Sequence, residues 1–165
     1  MRTRFAPFGL GSANHGPVTI YFEDFVVGET VELGSVEVTE TAIIEFAERY
    51  DPQPFHVDPA AAARSPYGGL IASGWHTCAL YMRLLCDGMI NDSSSQGASG
   101  MEKLRWLAPV RPGDTLRGRF TVLDAVPSAT KPNRGTVTFH SEMLNQDDVV
   151  VLRMVGRGLY GKRPE

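Results

Sequence analysis

The strongest constraint on the fold is one long segment that is apolar on nearly every side. Residues 73–87 are predicted to form a helix, and the side chains along it leave no polar stripe: Trp75, Cys78, Ala79, Leu80, Tyr81, Met82, Leu84 and Leu85. A helix with so little polar surface has to be buried. We therefore expect the rest of the chain to cover this helix, most simply with a sheet.

The last third of the chain supplies that sheet. Four candidate strands are separated by segments rich in Pro, Gly, Asn and Asp, and they cover residues 101–107, 115–126, 135–144 and 149–160. Short strands joined by turns pair antiparallel. The sequence therefore predicts an α+β fold in which a curved antiparallel sheet wraps around one long central helix.

The first half of the chain is predicted to hold a strand, a turn and a second strand over residues 20–38, with the turn at Gly28. Thr39 or Thr41 is suited to cap a helix that runs to about Tyr50. Residues 91–100 are polar and are predicted to form a loop that is free to move. One apolar face of the predicted helix is expected to be formed by Ile43, Phe46, Ala47 and Tyr50.

Length and charge narrow the function classes. The 165 residues suggest one domain over residues 20–165, after a flexible arm of residues 1–19 whose prolines and glycines oppose an amphipathic targeting helix. The net charge of -3 gives no reason to expect a nucleic acid or a membrane as partner. No apolar run reaches the roughly 18 residues of a membrane span.

The two cysteines and the four histidines suggest neither a disulfide nor a metal site. Cys78 and Cys86 lie about two helical turns apart, roughly 12 Å, which is too far for a disulfide. They are predicted to be small core residues of a protein in a reducing, cytoplasmic compartment. The histidines are scattered and match no metal-ligand spacing, so no metal is expected.

The candidate chemistry lies on a loop stiffened by prolines. Asp51 and His56 are five positions apart between Tyr50 and the alanine-rich segment that Asp58 is predicted to cap. Helix capping therefore explains the presence of Asp58. Asp51 before Pro52 also suits a turn, whereas no structural role is evident for His56. A carboxylate and an imidazole held on a rigid loop are suited to divide proton transfers.

Gly74 stands eighteen positions after His56, directly behind Ser73, which is suited to cap the apolar helix. The first helical amides have no partner within the helix, so Gly74 N–H is a candidate donor to a developing negative charge. Tight packing of the helix start against a strand explains a glycine equally well.

These residues also form a family pattern. The run from Asp51 to His56 (DPQPFH) resembles the D-x-N-P-x-H signature of the MaoC-like dehydratases and (R)-specific enoyl-CoA hydratases. The run from Gly69 to Gly74 (GLIASG) resembles that family's helix start, and residues 109–114 (PVRPGD) resemble its turn between strands. The resemblance covers roughly residues 20–162.

The resemblance implies a hotdog fold that dimerises or forms a larger homo-oligomer. It implies that Asp51 and His56 position one water for the hydration of a trans-2-enoyl thioester, or for the reverse dehydration of a 3-hydroxyacyl thioester, and that Gly74 N–H holds the thioester carbonyl. Coenzyme A or a carrier-bound pantetheine is then part of the substrate, and this reaction requires neither a metal nor a redox cofactor. Gln53 stands where the family usually has Asn and Met82 where some members have a small polar residue, while Ser73 and Trp75 are expected to support or line the site.

Two other functions fit the same fold. A hotdog thioesterase directs water at the carbonyl carbon itself, but it has less need of an imidazole on the same loop. A non-catalytic acyl-binding protein would be more attractive if Asp51 or His56 were missing, and both are present. The sequence therefore favours an enoyl-thioester hydratase or dehydratase.

Overall fold

The computed structural model describes residues 17–164 and contains one five-stranded sheet. All neighbouring strands are antiparallel, which confirms the predicted sheet. The strands lie side by side in the order β1-β3-β4-β5-β2. Their bounds are β1 (Thr30–Glu37), β2 (Ser95–Trp106), β3 (Thr115–Pro127), β4 (Arg134–Leu144) and β5 (Val150–Gly161).

Four helices lie between β1 and β2, and the longest is packed on the inner face of the sheet. They are α1 (Glu40–Tyr50), α2 (Pro54–Val57), α3 (Pro59–Ala63) and α4 (Gly74–Gly88). Alternate side chains of the strands, such as Phe120 and Met143, are buried against the inward face of α4, which includes Tyr81, Leu84 and Leu85. This is the predicted hotdog arrangement. Within residues 17–164, no helix is both long and apolar enough to span a bilayer.

One prediction about α4 is wrong for the protomer, because the helix is not buried on every side. Trp75 is 56% exposed and Met82 is 44% exposed. The sheet and the shorter helices cover only part of the circumference of α4, so its hydrophobic outer side remains open. Cys78 and Cys86 are half-buried and free.

The segment before β1 also differs from the prediction. Residues 1–16, most of the predicted arm, lie outside the described residues, and the predicted first strand is a 3-10 turn at Phe22–Asp24. Phe22 is buried, and the ring of Phe25 packs 4.3 Å from that of Tyr160. Two aromatic side chains three positions apart reach the same core from a helical turn, whereas a strand would point them to opposite faces.

The predicted polar loop is also wrong from Ser95 onward, because β2 begins there. Residues 95–101 pair with β5, with Ala98 opposite Gly158 and Met101 opposite Gly156, through irregular register. Both faces of this part of β2 are largely exposed. A strand without a buried face shows no alternation of apolar and polar residues, so its sequence resembles that of a loop.

Candidate active site

Asp51 lies at the carboxyl end of α1, where two side chains donate hydrogen bonds to it. Ser73 Oγ donates to Asp51 Oδ2 at 2.6 Å, and Gln53 Nε2 donates to Oδ1 at 2.7 Å. The pKa of the Asp51 carboxyl is lowered, chiefly by the hydrogen bond from Ser73. Partial burial opposes this shift, whereas the hydrogen bond from Gln53 and the nearby His56 add to it. Asp51 is therefore ionised at neutral pH.

His56 is buried and its orientation is fixed by the backbone that precedes α4. Its Nδ1 lies 2.7 Å from Ile71 O, and because a carbonyl oxygen only accepts, Nδ1 carries the proton. Ala72 N–H donates to Val110 O at 2.8 Å, which anchors this backbone to the turn before β3. In the neutral imidazole, Nε2 is then the atom with the free lone pair.

The carboxylate and the imidazole converge. His56 Nε2 lies 3.5 Å from Asp51 Oδ2, and both residues line a cleft of about 480 Å³. In the neutral imidazole neither of these two atoms carries a hydrogen, so they face each other as two acceptors. Such a pair is stabilised by protonation of the ring or by a small donor that reaches both atoms.

Gly74 is the first residue of α4 and borders the same cleft. Ser73 Oγ accepts from Trp75 N–H at 3.2 Å, whereas no hydrogen bond among residues 17–164 uses the Gly74 N–H. A Cβ at position 74 would lie 2.3 to 2.7 Å from three atoms of the Trp106 indole. Both explanations of this glycine therefore describe the structure: the amide is free, and the helix start is packed tightly against a strand.

The cleft brings together most of the predicted site residues and several that sequence reasoning missed. Ser73 is fully buried behind Asp51, and Gln53 and Trp75 line the cleft itself. Met82 is not among the lining residues. The lining residues that were not predicted are Phe55, Tyr67, Ile71, Ala72, Thr77, Trp106, Leu107, Ala108, Pro109, Val110 and Val151.

Asp58 serves the structural role assigned to it. Its Oδ1 accepts from Ala60 N–H at 2.8 Å and from Ala61 N–H at 3.2 Å, so it caps α3. In the part of the chain that the structure describes, no three His, Cys, Asp or Glu side chains are grouped as metal ligands would be.

Ser73 links the site to the helix cap, and this leads to a prediction. We expect Ser73→Ala to raise the pKa of Asp51, because the largest effect that lowers it is removed. The carboxylate then takes up a proton at higher pH than in the native protein. A titration of the Asp51 side-chain carboxyl carbon by NMR measures the shift directly.

The loss of the cap in Ser73→Ala is also expected to cost about 1 kcal/mol of stability. Thr39→Ala is the matched control, because Thr39 caps α1 by accepting from Ala42 N–H at 3.1 Å and does not contact Asp51. Ser73→Ala should lower the free energy of unfolding by more than Thr39→Ala does, because it also loses the hydrogen bond to the Asp51 carboxylate, and only Ser73→Ala should move the carboxyl titration. Equal titrations in both variants would contradict the role given to the Ser73 hydroxyl.

Comparison with known proteins identifies the family. The sequence model of the MaoC-like domain matches residues 24–143. The chain belongs to the MaoC-like domain family, which includes enoyl-CoA hydratases and dehydratases. The resemblance stated above is thereby confirmed.

Three similar proteins show how far the likeness extends. The crystal structure of a MaoC-like dehydratase from Rhodospirillum rubrum has a TM-score of 0.83 at 42% identity, over 89% of this chain and 100% of that chain. The R-hydratase PhaJ1 of Pseudomonas aeruginosa has a TM-score of 0.72 at 25% identity, over 87% of each chain. A 3-hydroxybutyryl-CoA dehydratase of Methylorubrum extorquens is 34% identical over 110 residues, which are 66% of this chain and 67% of that protein.

Proposed function

We propose that this protein is a hydratase/dehydratase that interconverts a trans-2-enoyl thioester and a 3-hydroxyacyl thioester. The observation that carries the proposal is the convergence of Asp51 Oδ2 and His56 Nε2, 3.5 Å apart, in a cleft that also contains the free Gly74 N–H. The similarity to a 3-hydroxybutyryl-CoA dehydratase and to an R-hydratase supports the same reaction class.

The two acceptors suit one water molecule. A water between them donates one hydrogen to Asp51 Oδ2 and the other to His56 Nε2, which leaves its oxygen lone pair free to attack C3 of the enoyl group. The lowered pKa of Asp51 makes its carboxylate a weak base and therefore a poor proton acceptor. His56 Nε2 therefore takes the proton from water as the C3–O bond forms, and the imidazolium returns a proton to C2.

Attack at C3 moves negative charge to the thioester oxygen, and the Gly74 N–H stabilises that charge. The amide lies at the N-terminus of α4, a helix of 15 residues, so the helix dipole adds to the effect. An amide of this kind contributes about 3 kcal/mol to the stability of the transition state. The reverse sequence of proton transfers expels water from a 3-hydroxyacyl thioester.

The supporting residues hold the carboxylate in place. Ser73 and Gln53 occupy both oxygens of Asp51, so the carboxylate has one orientation towards His56. The longer side chain of Gln53 reaches Asp51 from the start of α2, where the family usually has Asn. The substrate is the thioester of coenzyme A or of a carrier-bound pantetheine, and the reaction balances without a metal or redox cofactor.

We also propose that a second copy of the chain covers the free edge of the sheet. β2 is an edge strand whose faces are both largely exposed, and it includes the exposed side chain of Met101. Exposed, apolar edge strands are generally covered by other elements or by another chain. Light scattering after gel filtration measures the oligomeric state, and a monomer at micromolar concentration would contradict this part of the proposal.

The absorbance of crotonyl-CoA tests the reaction. The conjugated enoyl thioester absorbs in the ultraviolet, and addition of water to the double bond removes this band. The native protein is expected to remove it without releasing free thiol. Release of thiol from an acyl-CoA would instead indicate a thioesterase, and no change with enoyl thioesters of several lengths would indicate a non-catalytic acyl-binding protein.

A further inference from the structure

Two tryptophans form one wall of the cleft, and the proton transfers described above do not need them. Trp106 is the last residue of β2, and its indole lies directly against the backbone of Gly74. The Trp75 ring meets it edge-on, with ring centroids 5.3 Å apart and an angle of 80°. A glycine is required at position 74 because the Trp106 ring fills the space that any side chain would occupy.

Contacts with α4 hold one side of the Trp106 ring, while the residue as a whole is 47% exposed. Along α4 it contacts Gly74 and Trp75, and it interacts with the Cys78 thiol one turn further on. Burial raises the pKa of this thiol, and the contact with Trp106 partly offsets that rise. The indole loses these contacts if it moves away from α4, so they favour the position in which it borders the cleft.

The position of this wall relative to Gly74 leads to the inference. If the thioester oxygen accepts from Gly74 N–H, the first carbons of the acyl group lie beside the indole that covers the same residue. The flat enoyl group fits against an aromatic ring, and the apolar lining continues through Leu107 and Val151. An acyl chain that extends from the carbonyl along the start of α4 meets the two indoles, which occupy the space beside Gly74.

We propose that Trp106, supported by Trp75, determines the acyl specificity of the site and restricts it to short enoyl groups. This inference rests on the proposed function, since it places the thioester carbonyl at Gly74. The expected discrimination is about tenfold or more in kcat/KM between trans-2-decenoyl-CoA and crotonyl-CoA, the range that hydrophobic pockets reach for chain length. Trp106→Ala should reverse or remove this preference.

Binding is measured separately from turnover with saturated acyl thioesters, which cannot be hydrated. The chain has two tryptophans, so its tryptophan fluorescence reports on this wall alone. Butyryl-CoA should change the emission and bind about tenfold or more tightly than decanoyl-CoA, whereas free coenzyme A should leave the emission unchanged. Trp106→Ala should bind decanoyl-CoA at least as tightly as butyryl-CoA, and Trp106→Phe should shift the preference less in the same direction.

Met82→Ala is the matched control. Met82 lies on α4 at the position that lines the acyl pocket in some members of the family, but in this protein the Met82 side chain does not line the cleft. This variant should leave the ratio between decanoyl-CoA and butyryl-CoA unchanged. The inference is overturned if native protein binds both equally, or if Met82→Ala changes the ratio and the Trp106 variants do not. Circular dichroism shows whether Trp106→Ala is folded. If it is not, the binding preference of Trp106→Phe decides whether Trp106 sets the acyl specificity.

The two proposals fail differently. A preference for butyryl-CoA that Trp106→Ala removes, without any turnover of crotonyl-CoA, would support the role of Trp106 in acyl specificity and contradict the proposed hydratase activity. Turnover of short and long enoyl-CoA at the same rate, unchanged by substitution of Trp106, would support the hydratase activity and contradict the role of Trp106 in acyl specificity. Absence of binding to butyryl and decanoyl thioesters, both of coenzyme A and of carrier-bound pantetheine, would overturn both.

Discussion

Asp51→Asn is expected to lower the rate of crotonyl-CoA hydration by about three orders of magnitude without unfolding the protein. A positioned acid or base contributes roughly 10²- to 10⁴-fold to such a reaction. The amide keeps the size of the side chain and accepts one hydrogen bond, but it removes the charge that holds the water and stabilises a positive His56. The rate at saturating substrate, followed by the loss of enoyl absorbance, measures the effect.

His56→Ala is expected to lower the rate by a similar factor, and the double variant only slightly more. Because both side chains act on the same water, the loss of either one disables the pair, and such effects are far from additive. Two independent roles would instead multiply the two losses. The double-mutant cycle therefore tests the shared water, which rests on the 3.5 Å separation of the two side chains.

Asp58→Asn is the matched control for these variants. Asp58 is an acid seven positions from Asp51 on the same segment, but it caps α3, and Asn caps a helix about as well. We expect a rate close to that of the native protein and an unchanged free energy of unfolding. A loss comparable with that of Asp51→Asn would show that the segment as a whole, rather than the Asp51 carboxylate, is sensitive to charge.

The parts of the site that depend on local sequence were predictable. Helix α1 ends at Tyr50, just before the prolines that follow Asp51, Ser73 caps α4, and Asp58 caps α3, as expected from residues only a few positions away. The curved sheet and the central helix also followed from hydrophobic patterns. These features are encoded in neighbouring residues, so one sequence is enough to predict them.

The contacts between distant residues were not predictable from the same information. The hydrogen bond from His56 Nδ1 to Ile71 O fixes the tautomer, and it depends on how the segment before α4 folds back. The packing of Trp106 on Gly74 joins residues 32 positions apart, and the only local signal was an aromatic residue before the turn at residues 109–114. Strand β2 was missed at its start because neither of its faces is buried in the protomer.

Gly74→Ala is expected to cost both stability and activity. The new Cβ would lie 2.3 Å from the Trp106 indole, so the ring or the start of α4 has to move. Overpacking of this kind costs about 1–3 kcal/mol. Displacement of the amide from the thioester oxygen is expected to slow crotonyl-CoA hydration by about 10²- to 10³-fold. Thermal unfolding and the hydration rate measure the two effects.

Trp106→Ala in the same chain separates the packing from the amide. Gly74→Ala with Trp106→Ala has room for the Cβ and keeps the N–H, so its stability and its rate should return to those of Trp106→Ala alone. Gly74→Pro with Trp106→Ala lacks the N–H and carries the ring carbon Cδ in its place. Proline is favoured at the first position of a helix, and Ser73 has the extended backbone (φ -55°, ψ 140°) that a following proline requires.

These two double variants therefore differ at one backbone nitrogen, which carries a hydrogen-bond donor in the first and a ring carbon in the second, and the affinity for butyryl-CoA shows whether that carbon obstructs the site. If Gly74 N–H stabilises the oxygen of the transition state, the proline variant should be slower by about 10²- to 10³-fold, with an equally folded chain and a similar affinity for butyryl-CoA. Equal rates would mean that the glycine is required solely because Trp106 covers it. The charge on the thioester oxygen would then have to be stabilised by another group.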